Sequence, residues 1–117
     1  MQYLTNAFSL QMLTKLLRKD TETPVYIREL IAEEAKTYLS TYFVSAIGHQ
    51  GTADFLTKLL GIQVPLNRAQ IELVPGDRLI VVQPWGARLQ PGQELTADVM
   101  MELYKQGKVK FIVIRIP

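Results

Sequence analysis

The last strand-like segment of the chain, Val109-Lys-Phe-Ile-Val-Ile-Arg-Ile116, does most to limit the possible folds. Val109, Phe111, Val113 and Arg115 fall on one face and Lys110, Ile112, Ile114 and Ile116 on the other, so both faces are largely apolar. Such a strand belongs inside a sheet that is covered on both sides, because a half-solvated strand alternates apolar with polar residues. The rest of the chain must therefore supply the covering layers. With 117 residues, 48% of them hydrophobic, it has enough material for one compact domain, residues 1–117, and too little for two.

Elsewhere the pattern switches between helical and strand periods. Tyr3 to Phe8 has strand character, and Ser9 is placed to N-cap a helix with the apolar stripe Met12, Leu13, Leu16 and Leu17, closed by Arg18 and Lys19. Pro24 opens a second extended piece, Val25 to Arg28. Leu30 to Tyr42 then has helical composition, with Glu33 and Glu34 early and Lys36 later. The next predicted helix, Thr52 to Leu60, puts Phe55, Leu56, Leu59 and Leu60 on one face, turns its polar start outward and stops at Gly61.

From Arg68 the period becomes two. Ile71 and Leu73 alternate with Gln70 and Glu72, Pro75-Gly76-Asp77 supplies a turn, and Leu79 to Gln83 follows as a strand, which predicts a hairpin. Pro84 to Glu94 holds two prolines, two glycines, Trp85 and Arg88, the composition of a long functional loop. Thr96 can N-cap a last helix with Val99, Met100, Leu103 and Tyr104 on its apolar face and Gly107 at its end. About five strands interleave with three or four helices, and the fold class is α/β with a mixed sheet and helices against it.

The chemistry is bounded by what is scarce. The net charge of +2 includes no long basic arm, which argues against extended duplex DNA and leaves open a small polyanion held by a few arginines. Without cysteine there are no thiol nucleophiles or thiolate metal sites, and with one histidine neither a metal nor a cofactor is expected. Neither a leader peptide nor a run of about eighteen apolar residues is visible, so no membrane partner is expected and the expected location is cytoplasmic. The single histidine, His49, lies in Ser45-Ala-Ile-Gly-His-Gln-Gly-Thr52, directly before the third predicted helix. An imidazole there sits beside free backbone amides and the positive end of the helix dipole, a setting for phosphoester chemistry. Simple helix capping by His49 fits the same spacing.

Several strings in order along the chain resemble one family: Leu4-Thr-Asn-Ala-Phe-Ser-Leu10 with Met12-Leu13, Ser45-Ala-Ile-Gly-His49, Asn67-Arg68, Val81-Val-Gln83 with Arg88-Leu89, and Leu103-Tyr104 with Gly107-Lys-Val109. The chain is similar to the ring nucleases that viruses use as type III anti-CRISPR proteins, with relatives in bacteria. The resemblance implies a small α/β homodimer that binds cyclic tetra-adenylate across the subunit interface. It implies metal-independent cleavage to linear di-adenylate with a 2′,3′-cyclic phosphate, the ribose 2′-hydroxyl serving as nucleophile.

Carried over residue by residue, His49 would be the general acid and Arg88 would stabilise the scissile phosphate. Asn6, Ser9, Gly48, Arg68 and Gln83 would contact the ligand. Each also has an ordinary role: N-capping for Ser9, a turn for Gly48, solvated surface for Arg68 and Arg88. Trp85 could stack on an adenine or pack in the interface. The loop from Gln83 to Arg88 is about one residue longer than the family pattern. The acidic residue that some members carry beyond the arginine has no counterpart at Gln90 or Pro91, and Glu94 is out of register. A non-catalytic sponge or sensor for cyclic oligoadenylates, or an interaction protein without a nucleotide ligand, are the competing functional classes.

Overall fold

The computed structural model describes residues 1–87, 91–92 and 94–117. Five strands, β1 (Gln2–Thr5), β2 (Tyr26–Leu30), β3 (Val44–Ala46), β4 (Arg78–Pro84) and β5 (Val109–Arg115), form one sheet in the order β2-β5-β4-β1-β3. β1 pairs in parallel with both β3 and β4, and β5 runs antiparallel to β4 and β2. β5 is thus an interior strand, as its two apolar faces require. Its Val109, Phe111 and Val113 enter one buried cluster, and Ile114 and Ile116 enter another on the opposite face.

Three α-helices, α1 (Ala32–Leu39), α2 (Gln50–Leu60) and α3 (Ala97–Lys105), cover the first face. Their ends follow local chemistry. Glu34 reaches back to accept from the Ile31 N–H at 3.1 Å, ahead of α1. Gly61 ends α2 in the left-handed conformation, φ 68°. The Thr96 hydroxyl accepts from the Val99 N–H at 3.2 Å at the start of α3. At its far end the Lys108 N–H reaches the Leu103 carbonyl (2.8 Å) and the Gly107 N–H the Tyr104 carbonyl (3.0 Å), a Schellman closure around Gly107. Phe55 of α2 is fully buried, with its ring centroid 6.0 Å from that of Tyr104, which meets Phe111 of β5 edge-on at 6.5 Å.

The second face is covered by a short 3-10 helix, Leu10–Leu16, and by the segment around Ile71 and Leu73. An α-helix is expected from Ser9 onward, and the tighter winding differs for a physical reason. With three residues per turn Leu13 and Leu16 fall in one row against the sheet, while Leu17 is left exposed.

The predicted hairpin does not form. Both edges of β4 are occupied, by β1 and β5, so no edge remains for residues 70–73, and the Leu73 N–H donates instead to the Met12 carbonyl at 2.8 Å. Its alternation still marks burial, with Ile71 and Leu73 inside and Glu72 outside. The fifth strand is β3, whose small residues read in sequence as part of the His49 loop. Elements also shift at their ends: β1 stops at Thr5, β2 starts at Tyr26, α1 is shorter than Leu30 to Tyr42, and α2 starts at Gln50 with Thr52 buried rather than facing outward. Among the described residues no helix is long and apolar enough to cross a membrane.

Phe55→Ala removes the buried α2 ring that packs on Tyr104 of α3, which in turn meets Phe111 of β5. It is expected to cost about 3–5 kcal/mol in chemical denaturation, and a loss below 1 kcal/mol would show that this contact does not hold the helical layer together.

Candidate functional site

β1, β3 and β4 run in the same direction, so their carboxyl ends lie side by side at one end of the sheet. The chain leaves neighbouring strands β1 and β3 toward opposite faces, into the 3-10 helix and into α2. Open α/β sheets bind ligands at such a point, where the chain leaves neighbouring parallel strands toward opposite faces.

Asn6 follows β1, and its Oδ1 accepts from the Gly48 N–H, just after β3, at 3.0 Å. Arg68 Nε donates to the Gly48 carbonyl at 3.1 Å. Both backbone polar groups of Gly48 are thereby used to tie together three segments distant in sequence. Arg68 itself is anchored through its neighbour. Asn67 donates from its side chain to the Ser45 carbonyl (2.6 Å) and from its backbone N–H to the Ile47 carbonyl (2.9 Å). The buried Ser45 hydroxyl donates to the Pro65 carbonyl at 2.6 Å. With Nε engaged, the exposed Arg68 keeps its two terminal nitrogens for a ligand.

His49 occupies the N-cap position of α2 in an extended conformation, φ −126° and ψ 126°, and its carbonyl accepts from the Ala53 N–H at 3.0 Å. Its side chain makes no capping hydrogen bond and is exposed. The imidazole therefore stands beside the first amides of α2 without serving them. Ser9 does cap, its Oγ accepting from the Gln11 N–H at 3.2 Å. Gln83 lies at the same end of the sheet, two residues beyond Val81, which pairs with Thr5. Arg88 falls outside the described residues.

The loop after β4 leaves and returns at this end. Trp85 is half-exposed, donates its backbone N–H to the Lys108 carbonyl at 2.9 Å, and has Lys110 Nζ 5.4 Å from its ring centroid. Leu95, near the loop's other end, lies against the first turn of α2. A Cβ on Gly51 would collide with the Leu95 carbonyl and sit 2.9 Å from Thr96 Cα. A Cβ on Gly48, by contrast, would meet Arg68 Cγ at 3.7 Å, an ordinary contact. The glycine required by close approach is thus Gly51, whereas Gly48 serves through its backbone polar groups.

Of the seven predicted site residues, Asn6, Gly48 and Arg68 are joined by hydrogen bonds, Ser9, His49 and Gln83 share the same sheet end, and Arg88 is not described. Ser45, Asn67 and Gly51 were not singled out for the site. A glycine in the first turn of a helix was the available signal for Gly51. The Ser45–Asn67 pairing spans 22 positions and leaves no local trace. Gly51→Ala should lower stability by about 1–3 kcal/mol despite alanine's better helix propensity, and Gly48→Ala by less than about 1 kcal/mol. Thermal denaturation of the two variants side by side checks the contrast, and an equal effect would remove Leu95 from the wall of the site.

The chain is similar over 97% of its length, and 97% of the other chain, to the solved structure of B116 of Sulfolobus turreted icosahedral virus, with a TM-score of 0.73 at 29% identity. It is 37% identical over 83 residues to uncharacterized protein 26 of Sulfolobus islandicus filamentous virus, covering 70% of this chain and 66% of that protein. It is 39% identical over 80 residues to ORF117 of Acidianus two-tailed virus, covering 66% of this chain and 68% of that one. The profile of the STIV B116-like family matches residues 2–110.

Proposed function

This chain belongs to the STIV B116-like family, and we propose that it is a metal-independent ring nuclease that binds cyclic tetra-adenylate across a homodimer interface. The proposed products are linear di-adenylates ending in a 2′,3′-cyclic phosphate, and the proposed role is to switch off type III CRISPR signalling in the host cytoplasm. The observation that carries the proposal is the state of His49, an exposed imidazole at the N-cap of α2 with no capping hydrogen bond, beside the Asn6–Gly48–Arg68 junction. Relatives encoded by viruses of Sulfolobus and Acidianus fit a protein aimed at a host signal.

The reaction asks little of the protein. A ribose 2′-hydroxyl gives up its proton to solvent as its oxygen attacks the adjacent phosphorus, the cyclic phosphate forms, and the bond to the 5′-oxygen breaks. His49 gives a proton to that leaving oxygen, a role worth roughly 10²–10⁴ in rate for a positioned acid. The terminal nitrogens of Arg68, the first amides of α2 and the Arg88 side chain supply positive potential for the charge that grows on the phosphoryl oxygens. Gln83 and Ser9, at the same end of the sheet, would contact ribose or phosphate oxygens. A ring of four nucleotides has near-twofold shape, so a twofold dimer presents one His49 to each of two opposite phosphodiesters and releases two di-adenylates.

Incubation of excess protein with labelled cyclic tetra-adenylate in EDTA is expected to yield di-adenylate with a cyclic phosphate. His49→Ala should bind the ring about as tightly and cleave it at least tens of times more slowly, while Arg88→Ala should weaken both steps. Binding without cleavage by the wild type would make the protein a sponge or sensor, and absence of binding would end the proposal.

A further inference from the structure

At the end of the sheet opposite His49, a row of side chains crosses four strands on the helical face. Gln2 of β1 pairs with Arg78 of β4, Arg78 with Arg115 of β5, and Arg115 with Tyr26 of β2. Two arginines directly opposite on neighbouring antiparallel strands repel each other, an arrangement that costs stability unless an anion offsets it. Among the described residues no carboxylate pairs with either one. The nearby Asp77 is committed to the Met1 ammonium and to the Val74 N–H. A third arginine, Arg28, is neutralised by Glu34 at 2.8 Å, and that contact holds the Glu34 carboxyl below its usual range.

Arg78 is also held in place. The buried Gln2 donates from Nε2 to the Tyr38 carbonyl at 2.9 Å, which leaves its Oε1 to accept from Arg78 Nε at 2.7 Å. The guanidinium then lies over the Tyr38 ring, 4.4 Å from the centroid, and Arg115 lies over Tyr26 at 4.7 Å. A buried amide thus fixes Arg78 at the wall of a cleft of about 340 Å³ that Arg115, Tyr26 and Tyr38 also line. Two forked cations, oriented on aromatic faces and lacking an acidic partner, match a doubly charged tetrahedral oxyanion that accepts from both forks.

We propose that Arg78 and Arg115, with Tyr26 and Tyr38 beneath them, form a second ligand site that takes a phosphate monoester dianion, as inorganic phosphate or as the phosphate of a mononucleotide. The site is separate from the His49 crevice and independent of any nuclease activity. A ligand that binds only the folded state raises the melting temperature. Inorganic phosphate and adenosine monophosphate are each expected to raise it above a chloride control of equal ionic strength, and adenosine is not. In Arg115→Gln, an exposed position at a strand end, the rise should vanish. Dissociation constants from NMR titration, read on the Arg78 and Arg115 Nε–H signals, should weaken by about tenfold or more in Arg78→Gln and in Arg115→Gln. Equal affinity for the two probes identifies a bare phosphate site, and tighter binding of the mononucleotide identifies one in which a tyrosine also holds the base. Movement of signals around His49 alone, or affinity unchanged in Arg115→Gln, overturns the proposal.

Discussion

The structure depends on β1 lying between β3 and β4 with all three strands parallel. Parallel neighbours cannot be joined by a tight turn, so β1 and β3 must each be followed by a crossover, and the chain leaves all three strands from one end, β4 returning through α3 into antiparallel β5. That single requirement gathers Asn6, Gly48 and Gln83 into one rim, although they stand far apart in sequence. It also explains the lack of a hairpin before β4: once β1 and β5 have taken both of its edges, a preceding segment can only lie across the face.

What was legible in the sequence followed from burial and from end chemistry. The double-sided apolar pattern of residues 109–116 placed β5 inside the sheet, Thr96 and Gly107 bounded α3, and Gly61 ended α2. The residues on one rim were recognisable because family strings carried them. What stayed hidden was pairing. Ile71 and Leu73 alternate as a strand does because they cover a sheet, and period two reports which side chains go inside without saying whether the backbone finds a partner. β3 is three residues of small and β-branched side chains whose strand character comes from β1 alone. The Asn67 and Ser45 bonds that seat Arg68 join a strand to a distant loop, and single-sequence patterns carry no signal at that range.

The same geometry gives the modest net charge of +2 a spatial meaning. Arg68 stands at one end of the sheet, beside His49, and Arg78 and Arg115 stand at the other, so a nearly neutral chain presents arginines at both ends. Each end uses a buried or half-buried amide side chain to aim an arginine or a glycine peptide: Asn6 at the first, Gln2 at the second. Gln2 opens β1 and Asn6 directly follows its last residue, so the two amides bracket the strand. The shortest interior strand that contacts both ends therefore sets the orientation of both.

The two ends are nevertheless separated by more than their charges can bridge. β4 runs the whole way from Arg78 to Pro84, seven residues, and at 3.3 Å per residue spans about 20 Å. The screening length in physiological salt is about 8 Å, so a charge gained or lost at Arg78 is screened before it reaches the His49 rim. Any influence of one end on the other must travel through displacement of packed strands. With Leu79, Ile80, Val81 and Val82 all buried between them, the connecting strand is held on both faces and by a neighbour on each edge. A strand so confined resists local displacement, so coupling between the two ends would require the packed sheet to shift as a unit.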